Sequence, residues 1–491
     1  MAFPKLIQGG MGVGVSGWQL AREVAALGQL GVVSGTALDT MLIRRLALGD
    51  VGGHLRRAIR AFPFPAIADA VLDRYFHADD APANSGDDLS TVGPDIDRPD
   101  FGPRFQIEPL PGARLTTWRT WLIVLANFTE VYLAKEGHPG MVGINYLQKI
   151  QFPTLPSLYG AMLAGVDVVL IGAGIPGAIP AVLDQLSQNK SAAISLDVLD
   201  SGQDSFELTF DPAILWSEHK DVAIPSLRRP LFFAIISSLT LAKALVKKAP
   251  GGIDGFVIEG PIAGGHNAPP RGPQKLNDRG EPIYGPRDDI DLGGLRELGV
   301  PFWLAGGYAT REKLNQAIEL GAQGVQVGSL FAFCEESGLQ PELRRRFLAS
   351  LQGSQVDVFT DPNASPTGFP FKVASLSGTL SDVQVYSERP RMCDLGYLRQ
   401  AFRKADGTIG FRCSGEPIGD FVRKGGTEAE TAGRKCLCNA LLANIGLGQR
   451  RKDGYVEPPL LTSGDDLDCI KQFLSPTQLT YHARDVIESL L

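Results

Sequence analysis

Short apolar runs, most of them ending at or beside glycine, alternate with stretches of helical periodicity over about the first 330 residues. This alternation is typical of a parallel β-sheet whose strands are connected by crossover helices. Eight such runs occur, at residues 6–10, 31–35, 142–146, 166–172, 231–236, 256–259, 302–305 and 325–327. Eight parallel strands over this length predict an α/β fold of the (β/α)8 TIM barrel type.

Two segments interrupt this repeat and a third follows it. Residues 79–112 are acidic and rich in proline, glycine and aspartate, which predicts an inserted loop or hairpin within a barrel domain at 1–350. A strand pair at about 193–210 is a second predicted insertion. From about residue 351 the alternation fades into turns, so we predict a C-terminal, mainly helical appendage at 351–491. Its helical pieces are expected near 395–405 and 428–445.

The apolar stretch at 155–183 is long enough to be considered as a membrane span. Glycines and prolines between 172 and 180 interrupt it, so a helix, a buried parallel strand and a second helix are the better interpretation. The N-terminus has no basic segment followed by an apolar one, which argues against a signal peptide. Six cysteines among 491 residues are too few for a disulfide scaffold, so we expect a cytoplasmic protein.

Composition narrows the class of partner. The net charge of -7 and the pI of about 5.5 offer no basic surface to a nucleic acid or to an anionic membrane. The expected partner is therefore a small-molecule substrate. The 57 glycines matter here, because glycine lets the backbone approach a ligand closely or turn with a positive φ.

The strand exits are where a barrel of this type carries its functional residues. Four exits stand out, and they read Gly9-Gly10-Met11-Gly12, Glu259 to Asn267, Ala305-Gly306-Gly307-Tyr308 and Gly328-Ser329. Glycines directly before helices can turn backbone N–H groups toward a phosphate. Each glycine alone is equally compatible with a tight turn, but the pair of exits on the adjacent seventh and eighth strands favours phosphate binding.

A set of motifs in a fixed order covers most of the predicted barrel. They are Val142-Gly143-Ile144-Asn145, Gly172-Ala173-Gly174-Ile175-Pro176, Ala263-Gly264-Gly265-His266, Ala305-Gly306-Gly307 and Gly324-Val325-Gln326-Val327-Gly328-Ser329. In order and spacing they resemble the nitronate monooxygenase family, formerly called 2-nitropropane dioxygenases, and its flavin-dependent enoyl and quinone reductase relatives. The similarity runs from Ile7 through Phe333 and includes the later Ser365-Pro366-Thr367-Gly368 segment. It implies an oxidoreductase that binds FMN rather than FAD.

The resemblance also implies roles for individual positions. Met11 matches the residue over the isoalloxazine ring, Asn145 matches a side chain that hydrogen-bonds that ring, and Gly265 lets the chain pass close to the flavin. Ser329 stands where the family frequently has threonine, and it keeps the hydroxyl of a phosphate clamp. The full set of implied cofactor-binding residues is Gly10, Met11, Asn145, Gly265, Gly306, Gly307, Gly328 and Ser329.

His266 matches the family histidine that acts as a general base or orients the substrate. Imidazole ordinarily titrates near neutrality, so it can remove a proton α to a nitro group or hold a substrate oxygen. A structural histidine that caps a loop is the alternative. The chain departs from the family pattern directly afterwards, because a long polar loop extends from Asn267 to Asp291. This loop is a possible lid, and its cations Arg271, Lys275, Arg279 and Arg287 either meet an anionic ligand or are simply solvated.

The cysteines do not have the spacing of a metal site. Cys436 and Cys438 are separated by one residue, whereas structural zinc normally uses pairs of the C-x2-C type. We therefore expect Cys393, Cys413, Cys436 and Cys438 to be buried free thiols and predict no metal.

Three functional hypotheses remain. The first is a monooxygenase that oxidises alkyl nitronates with O2, with FMN supplying the redox chemistry and His266 positioning the substrate. The second is an NAD(P)H-dependent flavin reductase of enoyl thioesters or quinones. The third is a flavin-binding partner subunit without turnover. A homodimer is possible, and an exposed apolar face on the appendage would favour it.

Overall fold

The computed structural model describes residues 3–76, 105, 106, 108, 110, 114–217 and 223–491. Most of the predicted insertion at 79–112 lies outside the described residues. In the first 330 residues the described strands are β1 Leu6–Gln8, β2 Gly31–Ser34, β3 Val142–Leu147, β4 Val168–Gly172, β5 Ala192–Ser195, β6 Val198–Leu199, β7 Glu207–Phe210, β8 Leu231–Ile236, β9 Gly255–Glu259, β10 Phe302–Ala305 and β11 Gly324–Val327.

The strands other than β5, β6 and β7 form one parallel sheet in the order β1-β11-β10-β9-β8-β4-β3-β2. Two hydrogen bonds close this sheet between β1 and β2. The Gln8 amide donates to Leu30 O at 3.0 Å and the Leu30 amide donates to Leu6 O at 3.1 Å. The prediction of a (β/α)8 barrel is thereby confirmed, as is the antiparallel pair β5–β7 at the second insertion.

Helices connect the strands and cover the outside of the barrel. Several begin at a side chain that accepts a hydrogen bond from the first turn, such as Thr116, Ser238 and Thr310. The helices up to residue 352 are α1 Trp18–Ala26, α2 Leu38–Ala47, α3 His54–Arg60, α4 Pro65–Tyr75, α5 Thr117–Lys135, α6 Thr154–Leu163, α7 Ile179–Ser187, α8 Leu239–Lys248, α9 Leu292–Glu297, α10 Arg311–Glu319, α11 Ser329–Ala332 and α12 Pro341–Gln352.

The apolar stretch at 155–183 contains α6, β4 and the first half of α7. The predicted sequence of a helix, a buried strand and a second helix is therefore confirmed. Within the described ranges, no helix combines the length and the apolar character that crossing a membrane requires.

The inside of the barrel is an apolar layer built by every second residue of its strands. Trp303 and Val257 are fully buried there, and the Trp303 ring stacks on Phe233 with 4.8 Å between ring centroids. Burying a side chain of this size contributes about 1.5–3 kcal/mol. Because the alternation continues, the next inward-facing residue of each strand lies at the carboxyl end of the barrel, above this layer.

The appendage, residues 351–491, combines short helices with two antiparallel strand pairs. The prediction of a helix at 395–405 is wrong, because β14 (Gln400–Arg403) and β15 (Ile409–Arg412) form a hairpin there and β14 also pairs with β6. The hairpin turn contains Asp406-Gly407, a pair that favours tight hairpin turns, and Gly407 has φ +81°. The helix expected at 428–445 is shorter, since only α15 and a 3-10 turn at Ala429–Thr431 are helical. The helices and strands of the appendage are β12 Val358–Asp361, β13 Phe371–Ala374, α13 Val383–Glu388, β14 Gln400–Arg403, β15 Ile409–Arg412, α14 Ile418–Arg423, α15 Leu437–Ala443, α16 Asp468–Lys471 and α17 Ala483–Leu490.

Buried polar contacts fix the appendage to the barrel. The Tyr397 hydroxyl donates to the Asp39 carboxylate of α2 at 2.5 Å, and Arg119 of α5 pairs with the same carboxylate at 2.6 Å. Arg44 of α2 donates to the carbonyl oxygen of Leu447 at 2.6 Å. The side chains of Asp39, Arg119 and Arg44 are almost completely buried, so these contacts define how the appendage sits over the carboxyl ends of the strands.

Candidate active site

A cavity of about 260 Å³ lies at the carboxyl ends of the barrel strands. This volume is near the lower end of the range of small-molecule pockets, about 300–1,000 Å³. Barrel residues form its floor and sides, while appendage residues such as Phe371, Tyr397, Cys438 and Thr462 contribute to its walls. The structure brings all nine predicted site residues to this one cavity: Gly10, Met11, Asn145, Gly265, His266, Gly306, Gly307, Gly328 and Ser329. Their roles in binding and catalysis stay predictions.

The floor of the cavity is polar, in contrast to the apolar layer beneath it. Ser34, Asn145, Glu259 and Gln326 line it from four different strands. Asn145 donates from Nδ2 to the carbonyl oxygen of Gly10 at 3.2 Å. Its Oδ1 is buried and has no hydrogen-bond partner within the described part of the chain. An unpaired buried oxygen costs about 1–3 kcal/mol, so a ligand donor at this place would be stabilised.

Glycine is required at several of the predicted positions. A Cβ on Gly10 would lie 2.0 Å from Asn145 Oδ1, so no other residue leaves room for that side chain. Gly306 and Gly307 have φ +86° and +79°, in the left-handed region that other residues rarely adopt. The turn after β10 therefore depends on both glycines. Phosphate binding by this turn stays a prediction.

His266 is held by the appendage. Its Nε2 lies 2.7 Å from the Ser365 hydroxyl, and its ring meets Phe371 edge-on with 4.9 Å between ring centroids. The Lys372 amide also donates to Gly265 O at 2.9 Å, which fixes the adjoining backbone. Burial lowers the pKa of His266 from 6.5 to about 4, because the charged imidazolium is poorly solvated there. With this pKa below the ordinary imidazole value, His266 is neutral at pH 7, and Nδ1 is left to offer a ligand.

Glu259 is a cavity residue to which the sequence analysis gave no role. It is the last residue of β9, two positions after the inward-facing Val257, and it lines the cavity. Its carboxyl group makes no hydrogen bond or ion pair with any residue that the structure describes. Burial raises its pKa from 4.5 to about 7. The alternation of side chains along β9 could have identified this residue from the sequence. Because Val257 faces the inside of the barrel, an acid two residues later at the end of the strand must face the barrel mouth.

Ser329 is also engaged with the appendage. Its hydroxyl oxygen accepts from the Gly464 amide at 2.8 Å and from the Ser463 hydroxyl at 3.2 Å. On the neighbouring exit, the Gly265 amide donates to the Thr462 hydroxyl at 2.9 Å. The segment around 462–464 thus closes one side of the cavity. No local pattern in the sequence indicates this pairing, because the partners are 134 or more residues apart.

Cations are missing from this lining: within the described residues, no lysine or arginine faces the cavity. An anionic group inside must therefore be held by backbone N–H groups and hydroxyls. In the loop after His266, Arg271 donates to the backbone oxygens of Ser237 and Arg287, and Arg279 pairs with Asp357 at 2.5 Å. These two arginines hold the loop in place.

The cysteines are free thiols in the described chain. Of the four that were expected to be buried, Cys413 and Cys436 are buried, whereas Cys393 and Cys438 are half-buried. No group of three or more His, Cys, Asp or Glu side chains in the described ranges has an arrangement that could hold a metal ion.

Residues 222–358 match the family model for nitronate monooxygenase. The match contains β8 to β11, and with them His266 and the glycines after β10 and β11. This segment is similar to the nitronate monooxygenase family. The similarity that the motifs indicated is confirmed for this part of the chain.

Two curated relatives each match about a quarter of the chain. A probable nitronate monooxygenase from Bacillus subtilis is 34% identical over 126 residues, which are 26% of this chain and 34% of that protein. The (3aS,4S,5R,7aS)-5-hydroxy-7a-methyl-1-oxo-octahydro-1H-indene-4-carboxyl-CoA dehydrogenase of Mycobacterium tuberculosis is 29% identical over 128 residues, 26% of this chain and 33% of that one. The chain thus spans about a third of the length of these curated relatives. The structure of FabK from Thermotoga maritima aligns over 100% of this chain and 92% of that chain, with 14% identity and a TM-score of 0.47.

Proposed function

We propose that the chain is an FMN-dependent oxidoreductase that oxidises alkyl nitronates with O2 in the cavity at the barrel mouth. One observation carries the proposal: His266, Gly307 and Gly328 from the nitronate monooxygenase segment line the same cavity as Met11 and Asn145 from the first half of the barrel. Two distant parts of the chain therefore supply a single site of the composition that the resemblance implies.

The residues at the cavity fit a flavin. The unpartnered Asn145 Oδ1 is suited to an N–H donor, and the edge of a flavin ring carries such a donor. Gly10 leaves the space that this arrangement needs. The absence of lysine and arginine among the described lining residues is compatible with a phosphate that is held by backbone N–H groups.

Each residue would then have a defined task. Asn145 would accept a hydrogen bond from the ring, and Met11 would pack against the ring face. The backbone at Gly307, Gly328 and Ser329 would hold the phosphate. FMN, when bound, supplies the ring that accepts the electrons of the substrate.

His266 is suited to holding a substrate rather than to removing a proton. A nitronate is already deprotonated at the carbon that is oxidised, so its oxidation requires no strong base. A neutral imidazole, fixed through Nε2 by Ser365, can hold a substrate oxygen through a hydrogen bond. The largely apolar cavity wall keeps bulk water away from this contact.

Glu259 favours a second candidate function, an NAD(P)H-dependent reductase of enoyl thioesters or quinones. Reduction of a carbon–carbon double bond or a quinone requires a proton as well as a hydride. A carboxyl group whose pKa burial raises to about 7 can supply that proton near neutral pH. Oxidation of a nitronate has no such requirement, so Glu259 separates the two candidates.

Anaerobic mixing of the purified yellow protein with substrate tests the proposal. We expect a propyl nitronate to bleach the oxidised-flavin absorbance, while NADH and NADPH leave it unchanged over the same time. Rapid bleaching by NADH or NADPH alone would contradict the monooxygenase and support the reductase. If neither class of compound reduces the flavin, the hypothesis of a flavin-binding partner subunit without turnover is favoured. A colourless protein that takes up no FMN on reconstitution would refute the whole proposal.

Glu259→Gln provides the matched control. In the nitronate reaction this variant should keep most of its turnover, because the proposal assigns the carboxyl group no proton transfer there. In the reductase it should still be reduced by NADPH but should lose turnover with the enoyl or quinone substrate.

A cytoplasmic location belongs to the proposal, because the free thiols of the described chain suit a reducing compartment.

A further inference from the structure

Four of the six cysteines meet at one place in the appendage. Cys393, Cys413, Cys436 and Cys438 line a small pocket of about 10 Å³. They reach it from three segments: the stretch before β14, the end of β15, and the start of α15. Their sequence spacing did not indicate a shared site, so the fold alone brings them together.

Two of these four thiols, Cys393 and Cys413, influence each other's ionisation. Cys413 lowers the pKa of Cys393, and Cys393 raises the pKa of Cys413. The guanidinium of Arg399 favours the Cys393 thiolate further. Cys393 is partly exposed, whereas Cys413 is buried. The pair thus consists of an accessible sulfur that is stabilised as thiolate and an adjoining buried thiol.

This is the arrangement of a nucleophilic cysteine with a resolving partner. We propose that Cys393 and Cys413 form an oxidation site at which a hydroperoxide converts the two thiols into a disulfide. The Cys393 sulfur attacks the hydroperoxide, the O–O bond breaks, and an alcohol, or water from H2O2, leaves together with the Cys393 proton. The Cys413 sulfur then attacks the resulting sulfenic acid, the S–O bond breaks, and water leaves with the Cys413 proton. The two sulfurs lose two electrons and the hydroperoxide gains them.

A metal centre is the competing use of four sulfurs. The described chain contains no group of three or more ligating side chains that could hold an ion, which favours thiol chemistry over coordination.

The oxidation site lies next to the cavity at the barrel mouth. Leu398, Leu437 and Cys438 line both the cysteine pocket and the cavity at the barrel mouth. One layer of side chains therefore separates the thiol pair from the proposed active site.

Thiol counting and peptide mapping on the full chain test the proposal. After reduction and removal of the reductant, H2O2 should lower the thiols titrated in denaturant from six to four, and mass spectrometry should find Cys393 linked to Cys413. Cys393→Ser should keep all its remaining thiols at the same dose. Cys469→Ser is the matched control: this buried cysteine lies outside the pocket, and the variant should still lose two thiols.

The order of the two steps gives a second test. In Cys413→Ser, dimedone should label Cys393 after H2O2 treatment, because the sulfenic acid has no resolving thiol. In Cys393→Ser, dimedone should not label Cys413. No disulfide, a disulfide between other cysteines, or the reverse labelling pattern would each overturn the proposal. Zinc bound in a one-to-one ratio, with the four thiols protected until a chelator removes it, would also overturn it. The thiol count, the mapped disulfide and the zinc content can be measured on the wild-type chain even if a serine variant fails to fold.

Discussion

The barrel and the appendage build their interiors differently. The barrel is filled by an apolar layer in which alternate residues of its strands, such as Val257 and Trp303, are fully buried. The appendage buries an ionic network, in which the Glu457 carboxylate accepts hydrogen bonds from Arg389 and Arg451 while its side chain is 1% exposed. An apolar layer tolerates substitutions that conserve volume, whereas a buried ionic network fails when one partner is removed. The barrel interior therefore depends on apolar packing at many positions, whereas the appendage adds to its own apolar cluster a buried ionic network in which the loss of one partner is costly.

The site lies where these two regions meet. The barrel supplies the floor of the cavity through Asn145 and Glu259, and the appendage fixes His266 through Ser365 and Phe371. Damage to the appendage should therefore reach the cavity even though the floor residues stay in place. The predictions below test this difference, from the largest expected effect to the smallest.

Glu457→Ala should have the largest effect on folding. It leaves the guanidinium groups of Arg389 and Arg451 buried near Asp394 without their shared partner. Removing one partner of a buried ion pair costs about 3–5 kcal/mol. Urea denaturation followed by circular dichroism should show this loss in the free energy of unfolding.

The matched control for that variant is Glu342→Gln. Glu342 pairs with Arg345 on the surface of α12 at 2.7 Å, and both side chains are exposed. An exposed pair contributes about 0–1 kcal/mol, so this variant should unfold close to the wild type. Equal losses in the two variants would show that the appendage does not depend on its buried network.

The barrel was predictable from sequence because its physical cause is periodic. Strands buried on both faces need continuous apolar runs, and the turn after β10 needs glycine at 306 and 307, so both features are visible in one sequence. The hairpin at β14 and β15 was missed because local helical periodicity there was outweighed by the Asp406-Gly407 turn and by pairing with β6.

The cavity walls and the electrostatics could not be predicted in the same way. The partners of Ser329 and His266 in the appendage are about 100 or more residues away, and nothing local specifies them. The pKa of His266 depends on its enclosure by these residues, so it could not be predicted from the ordinary imidazole value. The cysteine pocket is a further case, since three separate segments create it.

His266→Ala should retain FMN and lose at least about 100-fold in kcat/KM, because poor positioning of a substrate costs about that much. The imidazole ring can position a substrate because its hydrogen bond with Ser365 of the appendage fixes it in one place. Ser365→Ala keeps the ring and removes its anchor, and it should lose about threefold to tenfold. Steady-state kinetics with a nitronate measure both variants. Unchanged kcat/KM in His266→Ala would give this histidine a purely structural role.

Glu259→Gln should change how stability depends on pH. The pKa of Glu259 is 4.5 when unfolded and about 7 when folded, so its contribution is fully present below pH 4.5 and is lost as pH rises through 7. His266 has the opposite sign, because its folded pKa of about 4 gives a contribution that is present above pH 6.5 and lost as pH falls through 4. The glutamine variant should therefore gain about 1–3 kcal/mol relative to wild type at pH 8 compared with pH 5.

Thermal or urea unfolding of wild type and Glu259→Gln at the two pH values measures that difference. Glu259→Asp serves as the control that keeps the charge, and it should retain a pH dependence in the same direction. A glutamine variant whose stability follows the wild-type curve at both pH values would contradict a buried, unpaired carboxyl group at the floor.

Asn145→Ala should have the smallest effect, a weakening of FMN binding by about threefold to tenfold. One net hydrogen bond contributes about 0.5–1.5 kcal/mol, and Oδ1 has no partner in the described protein that would compete for a flavin donor. Fluorescence titration of the FMN-free protein measures the Kd, and Asn277→Ala in the exposed loop should leave it unchanged. Because the variant also removes the bond to Gly10 O, a lower melting temperature with the same Kd would mean that Asn145 supports the floor without contacting the flavin. A larger Kd with an unchanged melting temperature would place the cofactor contact on the barrel side of the cavity, independent of the appendage.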